Sequence, residues 1–160
     1  MKEEFSEVVQ QKNFRSEQAK AALNIIFTAN QLEEISRNLL KPYDISSEQY
    51  NVLRILRGRH PETYALQEVR YRMLNRWSNV SRLVEKLRQK GYVERQPMEG
   101  NRRKVEILIT KKGLDFLDEL EELPISRNIY DKALTRDQAE QLSSLLDTFR
   151  SNLEAIMDDQ

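Results

Sequence analysis

The 160-residue chain contains no cysteine, which excludes disulfides, thiolate metal sites, thiol nucleophiles and thiol-based peroxide sensing. It has a single histidine, His60, which stands beside Pro61 in turn-forming sequence with no second ligand of its kind, so neither a metal site nor histidine catalysis is expected. The four glycines make no phosphate-cradling loop, and neither a nucleophile elbow nor metal-ligand spacing occurs. Asp115, Asp118, Glu119, Glu121 and Glu122 cluster, but nothing completes a catalytic or calcium-loop pattern around them, and a solvated helix face accounts for them. No catalytic residue and no cofactor is therefore assigned, and an enzyme is not expected. Apolar runs fall far short of the roughly 20 residues that a membrane span needs, and Met1-Lys2-Glu3-Glu4 is polar. The expectation is a soluble cytoplasmic protein without a membrane partner.

Net charge is also lacking, with 26 basic and 26 acidic residues, but the zero conceals a segregation. Between Val69 and Lys104 there are eleven basic residues and three acidic ones, a surplus of eight, so the remainder of the chain carries the opposite charge. Most of that balance lies after Val105. One segment is thus suited to an anionic partner.

The apolar pattern reads as helices interrupted by one hairpin. Leu23, Ile26, Phe27, Ile35 and Leu39 recur at helical spacing from about Phe14 to Lys41, where Lys41-Pro42 stops them. Ser46 and Gln49 spell a capping box, with Ile45 and Tyr50 at the hydrophobic-staple positions, so a second helix starts there and carries Val52, Leu53 and Leu56 inward. A short helix from about Tyr64 to Met73, a break at Leu74-Asn75 and a further helix to about Lys90 suggest a helix-turn-helix. Gly91 offers a left-handed stop, Tyr92 to Arg95 a strand, Pro97 to Arg103 a turn, and Val105 to Thr110 a second strand. Thr110 can cap a helix through Leu114, Leu117 and Leu120, which Pro124 would kink. Thr135 and Gln138 form another capping box before a stripe of Leu142, Leu145, Leu146, Phe149, Leu153 and Ile156.

On a helix from Asn75 to Lys90, a wheel at about 100° per residue gathers Trp77, Val80, Val84 and Leu87 on the inner face. Trp77 is accordingly assigned to the core rather than to base stacking. The outer face presents Ser78, Asn79, Arg82, Lys86 and Gln89, a face whose guanidinium, amide and hydroxyl groups are of the kind that read base edges and phosphates in a major groove. Arg76 and Ser81 join them at the N-terminal end, where Asn75 is the candidate cap and the helix dipole favours phosphate. At the hairpin tip, Arg102, Arg103 and Lys104 follow one another, which suits insertion into a minor groove.

These segments, in this order and spacing, resemble the MarR (multiple antibiotic resistance regulator) family over nearly the whole chain. The resemblance is carried by Asp44-Ile45-Ser46-Ser47-Glu48-Gln49-Tyr50-Asn51-Val52-Leu53 and by Val80-Ser81-Arg82-Leu83-Val84-Glu85-Lys86-Leu87 with Lys90-Gly91-Tyr92-Val93-Glu94-Arg95. Asn101-Arg102-Arg103 and Ile109-Thr110-Lys111-Lys112-Gly113 complete it. It implies that Arg82 sits at a recognition-helix contact, that Arg103 is the minor-groove arginine, and that the first and last helices pair two subunits. It also implies a possible small, often aromatic effector, for which Phe27, Tyr43 and Tyr50 are candidate pocket residues. The family's usual wing aspartate stands here as Asn101, so the wing's Asp-to-Arg pairing is absent; either Glu99 replaces it or the wing is looser.

The sequence thus predicts a mostly α winged helix-turn-helix with a small β-hairpin wing. Residues 1–45 form an N-terminal dimerisation helix, 46–113 the DNA-binding lobe and 114–160 the C-terminal dimerisation helices. The expected partners are a second copy of the chain, through Leu142, Leu145, Leu146, Phe149, Leu153 and Ile156, and double-stranded DNA with a pseudo-palindromic operator. Helix 75–90 would lie in the major groove and wing 96–104 in the minor groove, in a transcriptional regulator acting as a repressor. The competing reading is a winged-helix module whose basic surface meets an acidic protein instead of DNA.

Overall fold

The computed structural model describes residues 4–98, 101–123 and 130–159, the side chains of 98 and 101–104 excepted. It falls into two compact units, 1–110 and 111–160.

In the first unit a short helix, α1 (Phe5–Val8), precedes the long α2 (Glu17–Leu40). Ser16 caps α2 by accepting from the Ala19 N–H at 3.1 Å, so the helix starts three residues later than the periodicity suggested. Phe5 bridges the two elements, with its ring 5.9 Å from both Phe14 and Phe27. After a 3-10 turn over Lys41–Tyr43, Asp44 adopts a left-handed conformation and α3 (Ser47–Arg57) begins. Its capping box is complete: Ser46 Oγ accepts from Gln49 N–H at 3.2 Å, and Ser46 N–H donates to Gln49 Oε1 at 2.9 Å. That pairing explains why a glutamine is tolerated among the buried residues there.

Tyr64–Ala65 forms β1, where the sequence predicted the start of a helix; α4 (Leu66–Arg72) follows it directly. The reason is non-local, because Tyr64 pairs with Ile107 on a strand far along the chain. The recognition-type helix α5 spans Val80–Gln89. It ends in a Schellman motif: Gly91 has φ 77°, Tyr92 N–H donates to the Leu87 carbonyl at 3.0 Å, and Gly91 N–H to that of Arg88 at 2.9 Å. β2 (Val93–Met98) and β3 (Asn101–Ile109) form the hairpin and, with β1, an antiparallel sheet in the order β1-β3-β2. Both long strands run into sequence that reads as turn, pairing Met98 with Asn101, with an irregularity after Pro97. The core of this unit is Val52, Leu53 and Leu56 of α3, Val69 of α4, Val84 and Leu87 of α5, and Val93, Ile107 and Ile109 of the sheet. At such sites a leucine-to-alanine change costs about 2–5 kcal/mol.

In the second unit, α6 (Lys111–Glu122) buries Phe116, Leu117 and Leu120, while α7 (Arg136–Asp158) starts at the predicted Thr135/Gln138 capping box. The expected kink at Pro124 lies outside the described residues. No residue of α7 is buried in the single chain, and Leu145 of its apolar stripe is 68% exposed. Among the described residues no helix is long and apolar enough to cross a membrane, and no cluster of metal-ligating side chains occurs.

Candidate nucleic-acid interface

Three helices and a turn build the basic surface. Asn51 of α3 fixes the turn after α4 by accepting the Leu74 N–H at 3.0 Å. Asn75 then folds back to accept the Trp77 N–H at 3.1 Å, and Asn79 caps α5 by accepting the Arg82 N–H at 3.1 Å. The cap is therefore Asn79 and not Asn75, and residues 75–79 are non-helical. This overturns the assignment of Trp77 to the core. A helical wheel does not extend through a turn, and Trp77 is 92% exposed. The remainder of the inward face is as expected, with Val80, Val84 and Leu87 buried.

Outward, Arg76, Asn79, Ser81 and Arg82 are exposed and Ser78 is half-buried, all on or just before the positive end of α5, while the exposed Lys86 lies in its last turn. The structure divides the basic residues into two kinds. Glu85 holds Arg88 at 2.9 Å and Arg95 at 3.2 Å, and Lys90 is drawn onto Asp44. Arg72 and Arg59 both lie over the Tyr64 ring, at 5.3 Å and 4.6 Å from its centroid. Arg76, Arg82 and Lys86, by contrast, make no ion pair with any described residue, although the charge of Lys86 is felt by Asp44. The engaged group tunes its partners: Arg88, by hydrogen bond and charge, and Arg95, by charge, hold the Glu85 carboxyl below the ordinary range, and Lys90 does the same to Asp44. Glu68 is lowered first by the Ala65 N–H and then by Arg59.

Arg102, Arg103 and Lys104 lie on β3, which places them on the hairpin as expected; their side chains are outside the described residues. The candidate pocket residues have other company. Phe27 packs edge-on against Phe5, Tyr50 carries Arg54 over its ring at 5.8 Å, and Tyr43 is half-buried in the 3-10 turn.

Sequence reasoning missed a concavity of about 1090 Å³ between α4, the turn and the start of α5, to which Val105 of β3 also contributes. Gln67, Arg70, Tyr71 and Trp77 line it together with Ser78 and Ser81. The signal that could have revealed it is the second asparagine, Asn79, which competes with Asn75 as cap and moves Trp77 off the helix.

Helix-turn-helix, strand-paired hairpin and an outward basic face on the second helix define a winged helix-turn-helix protein. Residues 45–105 match the profile of the MarR family. The HTH-type transcriptional regulator PecS of Dickeya dadantii (strain 3937) is 30% identical over 129 residues, 74% of this chain and 75% of that protein. The crystal structure of a MarR transcription factor from Planctomyces limnophilus is 31% identical with a TM-score of 0.63, and the match covers 86% of this chain and 98% of that one. A mutant MarR from E. coli complexed with operator DNA shares the fold, with a TM-score of 0.72 at 22% identity over 86% of this chain and 99% of that one. The chain belongs to the MarR family of transcriptional regulators.

Proposed function

We propose that the protein is a cytoplasmic, homodimeric repressor that reads a pseudo-palindromic operator, with α5 in the major groove and the β2–β3 hairpin in the minor groove. The observation that carries this reading is the division of α5 into a buried Val80, Val84 and Leu87 face and an outward face whose Arg82 and Lys86 have no ion-pair partner among the described residues. Glu85 takes up Arg88, whereas the charges of Arg82 and Lys86 stay available to an anionic partner. The exposed apolar stripe of α7 supports pairing with a second copy, since a lone chain would leave Leu142, Leu145, Phe149, Leu153 and Ile156 in water. Enrichment of bound duplexes from random DNA tests the reading. A two-fold dimer is expected to select inverted half-sites whose centres are about 10 base pairs apart. Failure to enrich any duplex at moderate salt would instead favour an acidic protein partner.

A further inference from the structure

The turn between α4 and α5 displays apolar surface that folding does not explain. Trp77 is 92% exposed and Tyr71 69% exposed, and both line the concavity described above. A tryptophan and a tyrosine bury large apolar area when covered, and two of them exposed on one open groove mark an interaction surface. The other groups lining the groove state its chemistry. Arg70 and Arg76 supply cations, Ser78, Ser81 and Gln67 supply hydrogen-bond donors, and no carboxylate is among the described residues that line it.

The position of the groove narrows the choice further. Its lining runs from α4 through the turn to the N-terminal end of α5 and includes Val105, next to the wing. A duplex with α5 in its major groove and the hairpin in its minor groove must pass one strand between those two elements. The convex ridge separating the two grooves is sugar-phosphate backbone. It alternates anionic phosphate with the apolar face of deoxyribose, as the groove alternates guanidinium and hydroxyl with aromatic ring.

We propose that Trp77 and Tyr71 form an aromatic clamp on the sugar-phosphate backbone of one DNA strand, a positioning contact that is independent of base sequence. This rests on the DNA-binding reading above and adds to it a contact without charge. The Tyr71 hydroxyl is oriented by Gln67, whose Nε2 donates to it at 3.3 Å, which leaves the ring presented to the groove. Removal of the indole should therefore weaken specific and non-specific binding alike. It should leave the salt dependence unchanged, because no phosphate-neutralising cation is lost.

Trp77 is the only tryptophan, so its emission reports on this site alone. The full-length protein is titrated with two dye-labelled short duplexes, one enriched from a random pool and one of scrambled sequence. DNA anisotropy reports binding, and acrylamide quenching reports the exposure of Trp77. The expected result is that quenching falls as anisotropy rises, on both duplexes. Trp77→Ala should weaken both complexes by about tenfold with unchanged salt slope, and Trp77→Phe should retain most of the affinity. Bound DNA with Trp77 still fully quenchable would overturn the clamp while leaving DNA binding intact. A loss confined to the enriched duplex, and abolished when deoxyuridine replaces thymidine, would assign Trp77 to thymine methyl groups and equally overturn it. Protection of Trp77 by raising protein concentration without DNA would make the groove a protein contact. Absence of any anisotropy change would defeat the DNA reading and the clamp with it.

Discussion

Arg95 of β2 and Glu85 of α5 meet at 3.2 Å, and the same guanidinium donates to the Ser81 carbonyl at 3.3 Å. The first wing strand is thereby fastened to the helix that precedes it. Glu85 is shared with Arg88, so one carboxylate organises two cations that would otherwise add to the outward charge of the helix. Replacing Glu85 by glutamine should free both arginines and raise affinity for non-specific duplex, most strongly at low salt, where added cations count most. Binding of scrambled DNA at several salt concentrations checks this, and unchanged affinity would refute it.

The same contacts set a pH dependence. Glu85, Asp44 and Glu68 all hold their protons less readily folded than unfolded, held down respectively by Arg88, by Lys90, and by the Ala65 N–H with Arg59. A depressed folded-state pKa contributes stability that is complete above the unfolded carboxylate value and disappears as pH falls through the folded one. The urea midpoint should therefore drop on acidification from neutral pH, and Glu85→Gln should show a shallower drop. Parallel curves for the two proteins would show that the Glu85 cluster adds nothing.

Asn79, rather than Asn75, terminates the turn and starts α5. Asn79→Ala should cost about 1 kcal/mol of stability through the lost cap, read as a lower denaturant midpoint at unchanged slope. Asn79→Ser should recover most of it, since serine supplies the same acceptor. If serine fares no better than alanine, the asparagine acts by some means other than capping.

The parts of the molecule that are legible in the sequence are those set by local interactions. Ser46 with Gln49 and Thr135 with Gln138 were readable because a capping box is a local device whose partners lie three residues apart. Gly91 was readable because only a left-handed position at a helix end calls for it there. β1 was not, because Tyr64 and Ala65 are strand only through β3, more than 40 residues away. Trp77 was misassigned for a related reason. Two asparagines can each cap, and the choice depends on Asn51 holding the Leu74 N–H from another helix. The basic face could be listed from sequence, but not its division into paired and unpaired cations. That depends on Glu85 and Asp44 lying within reach of residues on other elements.

The stripe on α7 makes a prediction about assembly. Leu145 and Leu153 are both exposed in the single chain, so Leu145→Asp with Leu153→Asp should leave the helix content of the monomer unchanged. In a dimer the same changes bury uncompensated charge in an apolar seam. Sedimentation velocity at micromolar concentration should show a dimer for the native chain and a monomer for the double variant. A double variant that remains dimeric would move the interface elsewhere.

Arg82 and Arg103 should fail in different ways, because one belongs to a helix proposed to read bases and the other to a wing proposed to follow groove width. Arg82 has no ion-pair partner among the described residues, so its removal breaks no ion pair there, and the circular dichroism of Arg82→Ala should match that of the native chain. Its loss on the enriched duplex should be about 1–3 kcal/mol per half-site, with little change on scrambled DNA, so that discrimination flattens. Arg103→Ala should weaken both duplexes, with a penalty that grows with A·T content in the flanks, where a narrow minor groove concentrates negative potential. It should also lower the slope of log affinity against log salt by about 0.9 for each wing that no longer neutralises a phosphate. Binding isotherms on both duplexes over a series of salt concentrations separate the two patterns. If Arg82→Ala reduces the two affinities equally, α5 does not read bases through that side chain. If Arg103→Ala leaves the salt slope untouched, the wing does not touch DNA through that residue.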